Sequence, residues 1–108
     1  MFKPGRAVVP SNGVGTAPDA ATTPGGVEIS FDVGVNREQR QLTTQVLVTN
    51  REAAAGNLLE ISFSNGRDGT FFAIPPQMTI TFDVQTHRVS LRGASGGTAA
   101  YSIMAIVS

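Results

Sequence analysis

The stretch Met78-Thr79-Ile80-Thr81-Phe82-Asp83-Val84 alternates apolar and polar side chains at every position. Successive side chains of a β-strand point to opposite faces, so this alternation predicts a strand with one face against a core. The stretch Val27-Glu28-Ile29-Ser30-Phe31-Asp32-Val33 follows the same rule. Both stretches indicate half-buried strands, and they set the fold class for the rest of the chain.

Five further runs of strand type lie outside these two, namely Leu42–Asn50, Leu58–Phe63, Thr70–Ile74, Val89–Leu91 and Tyr101–Val107. Between them stand turn signals such as Asn65-Gly66, which favours a hairpin, and Pro75-Pro76, which cannot donate to a ladder. Residues 51–57 are too short for a helix and are predicted to be a loop. About seven short strands with regular turns predict an all-β fold, an antiparallel β-sandwich of jelly-roll or Ig-like type, with a small barrel as the alternative.

The N-terminal part of the chain has a different composition. Residues 1–26 contain four of the six prolines and little apolar periodicity, so we expect an extended Pro/Gly-rich arm, with the sandwich formed by residues 27–108. The arm is either a disordered tail or a segment that becomes ordered on a neighbouring subunit, adding a strand through Arg6-Ala7-Val8-Val9. If the arm holds a neighbour, removal of residues 1–24 is expected to leave the fold intact and to abolish incorporation into the assembly.

Composition excludes several classes of function. Eight basic residues balance eight acidic ones without clustering, which argues against nucleic acid and against an acidic membrane surface as partners. The chain has no cysteine, hence no disulfide and no thiolate metal site. The longest apolar run, residues 99–107, is well short of the ~20 residues that a membrane helix needs. No secretory signal precedes the first strand, so we expect synthesis in the cytoplasm without export.

No group of residues predicts a reaction. His87, the only histidine, lies in a predicted turn without a matched nucleophile, and Asp68 lacks the alternating carboxylates of a calcium loop. Acidic residues on the outer faces of strands keep a sheet soluble, which is a sufficient reason for their presence. We therefore expect no enzymatic activity, no metal and no cofactor.

Several apolar side chains are predicted to face away from the core. Phe71 lies beside an inward Phe72, and four others also occupy outward positions in their strands: Leu47, Leu58, Met104 and Ile106. Imperfect alternation in a sandwich is one explanation. The other is a second apolar surface that the arm or another subunit covers.

The second half of the chain resembles small structural proteins of tailed bacteriophage virions. The residues that carry the resemblance are Gly69-Thr70-Phe71-Phe72-Ala73-Ile74-Pro75-Pro76, the strand from Thr79 to Val84, and the segment from Leu91-Arg92-Gly93 to Tyr101. The resemblance implies a virion component that is assembled in the host cytoplasm, either a capsid decoration (cement) protein or a minor head–tail or tail protein. The extended arm is consistent with it, because cement proteins hold their neighbours with extended termini.

The expected function is therefore that of a capsid decoration protein, which binds the major capsid protein or another virion protein and stabilises the shell. We expect a homo-oligomer, a dimer or trimer. The expected partner-binding residues are in the arm and near strand ends: Phe2, Arg6, Val8, Val9, Phe71 and Arg92. The alternative is a carbohydrate-binding module, for which Tyr101, Phe71 and Arg92 are the candidates.

Overall fold

The computed structural model describes residues 6–10, 12–31, 43–63 and 70–107, and all the regular structure in these ranges is β. The strands are β1 (Arg6–Val8), β2 (Val14–Ala17), β3 (Val27–Ser30), β4 (Thr43–Asn50), β5 (Leu59–Ser62), β6 (Phe72–Ile74), β7 (Thr79–Phe82), β8 (Arg88–Gly93) and β9 (Ala99–Val107). The predicted all-β fold is confirmed.

The strands form two antiparallel sheets. The first sheet has the order β1-β9-β4-β7, and β2 also pairs with β9. β4 pairs with one side of β9, and β1 and β2 both pair with the other side. β1 lies opposite residues 105–107, and β2 lies opposite residues 99–102. The second sheet has the order β3-β8-β5-β6.

The core lies between the two sheets and takes every second residue of the long strands. In β9, for example, Tyr101, Ile103 and Ala105 are buried, whereas Ser102 and Met104 between them are only partly buried. The other buried apolar residues of this core come from both sheets: Ala17, Ile29, Phe31, Val46, Val48, Leu59, Ile61, Ile74, Val89, Leu91 and Ala99. A sandwich with a single apolar core explains why the period of two dominates the sequence.

β4 departs from the predicted alternation at its start. With Val46 and Val48 buried, a period of two would place Thr44 inward and Thr43 outward, but Thr43 is fully buried and Thr44 is exposed. The register with β9 shifts between Thr43 and Gln45, which is a β-bulge, and an extra residue on one strand reverses the faces of the residues before it. The buried Thr43 hydroxyl donates to Val84 O at 2.7 Å, so its burial leaves no unmade bond.

The N-terminal segment differs from the expected arm. Two of its stretches, β1 and β2, belong to the first sheet of the same chain, and Ala17 of β2 is part of the core. The turn that leads from it into β3 needs a glycine at Gly26, where φ is +71° and a Cβ would lie 2.3 Å from Leu91 O. The strand predicted at Arg6–Val9 exists over Arg6–Val8, but it pairs with β9 of its own chain.

Other strand boundaries lie close to the predicted ones. β3 and β7 fall within the two stretches that alternate strictly, β9 begins two residues before the predicted run Tyr101–Val107, and residues 51–57 form a loop as expected. Four predicted features lie outside the described residues: the Asn65-Gly66 turn, Leu42, Asp32 and Val33.

Candidate functional site

The outer face of the second sheet is charged, and its charges are paired with one another. Arg92 Nε lies 2.7 Å from Glu60 Oε1, and an Arg88 guanidinium nitrogen lies 3.7 Å from Glu28 Oε1. A second nitrogen of Arg92 donates to Pro24 O at 2.7 Å, and its guanidinium carbon stands 3.6 Å from the centre of the Phe71 ring. These contacts fix the Arg92 side chain in place, because a guanidinium can bind a carboxylate and cover an aromatic ring at the same time.

The outer face of the first sheet has a different character. Among the described side chains, its outward strand positions hold threonine, serine, alanine, one glutamine and larger apolar residues, but no Lys, Arg, Asp or Glu. A carboxylate lies at one end of the face, that of Asp83, the residue after β7, whose Oδ1 accepts a bond of 3.0 Å from Gln45 Nε2. Leu47 lies opposite Met104 on one side and Thr81 on the other, at the middle of the sheet. We call this surface the uncharged face; its larger apolar members are Val9, Val14, Leu47, Met104 and Ile106.

A cleft of about 300 Å³ opens on the uncharged face. Val9 and Val14 form its rim, and they are 66% and 62% exposed, which is unusual for valines this close to a core. Thr49 and Thr79 on the opposite rim hydrogen-bond to each other through their hydroxyls at 2.7 Å. The described residues that line it are Val9, Val14, Leu47, Thr49, Thr79, Ser102, Ile103 and Met104.

The turn between β1 and β2 places the two exposed valines. Gly13 N donates to Pro10 O at 2.9 Å, and Gly13 O accepts a bond of 2.7 Å from Ile103 N. A Cβ at Gly13 would meet Pro10 O and Ile103 O at 3.0 Å, so a residue without a side chain lets the turn lie directly against β9. Val9 and Val14 are thereby held side by side at the edge of the uncharged face.

The loops at one end of the sandwich are held by buried amide side chains. Asn50 Nδ2 donates to Asn57 O and Ile74 O at 3.0 and 2.8 Å, and its Oδ1 accepts from Glu52 N at 3.0 Å. Asn57 Nδ2 donates to Ala94 O and Gly97 O in turn. Sequence reasoning missed these two residues, since an asparagine near a strand end predicts only a turn.

The arm residues predicted to bind a partner do not share one environment. Phe2 lies outside the described residues, as does the side chain of Arg6. Val8 is 6% exposed and packs inside its own fold, because it lies opposite Ala105 on the inner side of the sheet. Val9, the next residue, points the other way and belongs to the uncharged face.

The two predicted site residues near strand ends, Phe71 and Arg92, contact each other on the outer face of the second sheet. Tyr101 is on the inner face of the first sheet, 3% exposed, and its hydroxyl donates to Asn12 O at 2.8 Å. The three residues considered for a sugar site therefore do not converge. Burial also raises the pKa of Tyr101 above its usual value.

His87 lies between β7 and β8, as predicted, and its carbonyl accepts a bond of 2.8 Å from Phe31 N. Asp68, considered for a calcium loop, lies outside the described residues. In the ranges that the structure covers, no three His, Asp or Glu side chains are grouped as a metal site would require. Within those ranges there is also no helix with the length and hydropathy needed to cross a membrane.

The chain matches no protein-family model, and neither the curated proteins nor the solved structures contain a match to it.

Proposed function

We propose that this chain is a structural component of a tailed bacteriophage particle, a capsid decoration protein without enzymatic activity that binds the major capsid protein or another virion protein. The observation that carries the proposal is the uncharged face. A soluble sheet normally has polar and charged residues on its solvent side, and the second sheet of this molecule follows that rule. An apolar patch bordered by hydroxyl groups is typical of a surface that another protein covers.

The strand order supports a jelly roll as the finer description of the fold. Between β2 and β9, every connection changes sheet except the one from β5 to β6. The resulting orders, β2-β9-β4-β7 and β3-β8-β5-β6, are those of two interleaved Greek keys. Jelly rolls occur in viral capsid proteins and in lectins, so the fold agrees with a virion role but does not distinguish it from sugar binding.

The surface itself favours a protein partner over a sugar. Among the described residues, the cleft is lined by valine, leucine, isoleucine, methionine and hydroxyl side chains and by no aromatic ring. Sugar sites generally stack a ring against the hexose, whereas apolar and hydroxyl side chains suit a dry protein–protein contact. A decoration protein places many copies on one shell, so a modest contact at each copy is sufficient to stabilise the whole.

A charge placed in the uncharged face tests this proposal. Leu47→Lys puts an ammonium group where the shell would exclude water, and we expect it to weaken binding by about tenfold or more. The measurement uses particles that lack this chain, mixed with purified protein and sedimented, with bound copies counted relative to the major capsid protein by quantitative peptide mass spectrometry. Wild-type binding near one copy per capsid subunit or per capsomer is the expected result for a shell-wide decoration protein.

Ala73→Lys is the matched control for this experiment. Ala73 is exposed on the second sheet and lies opposite Glu60. The variant therefore carries the same lysine ammonium group, but on the sheet that does not form the uncharged face. It should bind like the wild type. Equal binding by Leu47→Lys and the wild type would contradict a role for the uncharged face. Absence of the wild-type chain from the particles would contradict the virion role itself.

A further inference from the structure

A cluster of three phenylalanine rings lies on one flank of the sandwich, where the last strands of the two sheets come together. β6 ends the second sheet and β7 ends the first, and the short turn through Pro75 and Pro76 joins them. The Phe63 and Phe82 rings stand 5.0 Å apart, with Phe72 at 6.4 and 6.3 Å from them. Phe72 is 50% exposed, so the cluster continues the core outward to the surface.

In the described part of the chain, no strand pairs with the outer edge of β7 beside this cluster. Asn50 N donates to Met78 O, so the amide of Asn50 points to β7, and so do those of Val48 and Val46, which lie opposite Ile80 and Phe82. Ile80 and Phe82 therefore bond to β4, whereas the amides of Thr79 and Thr81 point away from it. Among the described strands β7 has a neighbour on one side only. The segment Thr79–Phe82 contains no charge and no proline, the usual protections of an edge strand.

The opposite edge of the same sheet offers a strand of the right direction. β1 and β4 are both antiparallel to β9, and β7 is antiparallel to β4, so β7 is antiparallel to β1. If a second copy continues the first sheet, its β1 lies antiparallel to β7, and the chain before Arg6 runs past Phe82 toward the ring cluster. That chain is Met1–Gly5, and its Phe2 is the one aromatic residue of the sequence outside the described ranges.

We propose that copies of this chain associate edge to edge, with β1 of one copy against β7 of the next and Phe2 of the incoming copy on the rings of Phe72 and Phe82. Phe2 stands four residues before Arg6, a reach of about 13 Å in an extended chain. Pro4 cannot donate to a ladder, so the strand pairing is short and the aromatic contact anchors it. The contact joins two different surfaces, so it generates a ring or an open row of copies. This inference does not rest on the virion role.

Sedimentation velocity of the purified full chain over a range of concentrations, without particles, tests the proposal. We expect reversible association of the wild type. We expect it to weaken by about tenfold or more in Phe72→Ser and in a variant that lacks residues 1–5. Phe71→Ser is the matched control, since it changes the adjacent residue on the outer face of the second sheet, and it should associate like the wild type. A synthetic peptide of residues 1–9 should dissociate the wild-type copies, and the same peptide with Phe2→Ser should not.

Two results would overturn the proposal. One is a wild-type chain that stays monomeric up to about 1 mM, where a contact of useful strength is saturated. The other is association that survives removal of residues 1–5, because it would show that the N-terminal segment is not the occupant of the flank. The second result stands even if Phe72→Ser loses its fold, since the shortened chain lacks none of the described residues.

Discussion

Tyr101 links the N-terminal segment to the core through one side chain. Its ring is buried between the sheets, and its hydroxyl donates to Asn12 O in the turn between β1 and β2. Gly15 faces the ring from β2, where a Cβ would lie 3.2 Å from the hydroxyl oxygen. The residue combines apolar burial with one satisfied polar group, as buried tyrosines generally do.

The raised pKa of Tyr101 predicts how stability depends on pH. The folded state binds the phenolic proton of Tyr101 more tightly than the unfolded state, in which the pKa is near 10. The contribution of the protonated phenol to the free energy of unfolding is therefore complete below about pH 10 and is lost as the pH rises further. Tyr101→Phe should cost about 1 kcal/mol at neutral pH by removing the hydrogen bond, and should flatten the alkaline decline in unfolding free energy.

The measurement is urea denaturation at a series of pH values, together with titration of the phenolate absorbance. The chain has a single tyrosine and no tryptophan, so the absorbance reports Tyr101 alone. An alkaline decline of equal steepness in Tyr101→Phe, or a phenolate that titrates at the pKa of a free tyrosine, would contradict the prediction.

Gln77 has an unusual backbone conformation for its residue type. Its φ is +63°, a value that residues other than glycine and asparagine seldom adopt. Gln77 lies in a turn that is closed by a hydrogen bond of 3.3 Å from Met78 N to Pro75 O. The turn is of the kind that prefers glycine at this position. The conformation is retained because Gln77 N donates to Asn50 O at 3.0 Å.

Gln77→Gly should therefore stabilise the protein. Relief of the left-handed conformation outweighs the greater backbone entropy of glycine by about 0.5 kcal/mol. For a domain of this size, that gain corresponds to a rise in Tm of roughly 2–4 °C. Differential scanning calorimetry measures it, with Gln77→Ala as the control, since alanine keeps the strain and should give no increase. A lower Tm for Gln77→Gly than for the wild type would show that the side chain stabilises the turn.

At the scale of elements, the two N-terminal strands are part of the fold. β1 and β2 cover the side of β9 that β4 leaves open, and they bring Val8 and Ala17 into buried positions. The expectation that the sandwich survives removal of residues 1–24 therefore differs from what the structure indicates.

Removal of residues 1–17 should lower the free energy of unfolding by about 2 kcal/mol or more, because it removes the buried Val8 and Ala17 and exposes the side of β9 that they cover. Removal of residues 1–5 keeps every described strand, so at concentrations where the chain is monomeric it should lower the unfolding free energy by less than removal of residues 1–17 does. Chemical denaturation of the two shortened chains beside the full chain makes the comparison. Equal stability of all three would indicate that β1 and β2 contribute little to the fold.

At the scale of the whole molecule, the two proposed surfaces are compatible. If the first sheet continues from β7 of one copy into β1 of the next, the outer faces of the first sheets of both copies point in the same direction. A row or ring of copies would thus present all its uncharged faces in one direction. Copies joined in this manner would bind a shell cooperatively, because attachment of one raises the effective concentration of the next.

Much of the sandwich could be predicted from local patterns. β3 and β7 could be predicted from strict alternation, because a strand between core and solvent has a period of two. The same period of two correctly predicted that Leu47 and Met104 point outward. The bulge at Thr43 did not, since an extra residue in one strand is set by its pairing with β9 and has no pattern of its own.

Local patterns along the chain were enough to predict the fold class, most strand positions and the apolar side chains on both faces of β9. The tertiary structure alone decided which of those side chains form one surface, that Val8 faces inward and that Arg92 is held on Phe71. It also decided that residues 6–8 and 14–17 complete the first sheet. The reason is physical: alternation is a property of neighbours along the chain, whereas pairing and burial depend on residues as far apart as Arg6 and Val107.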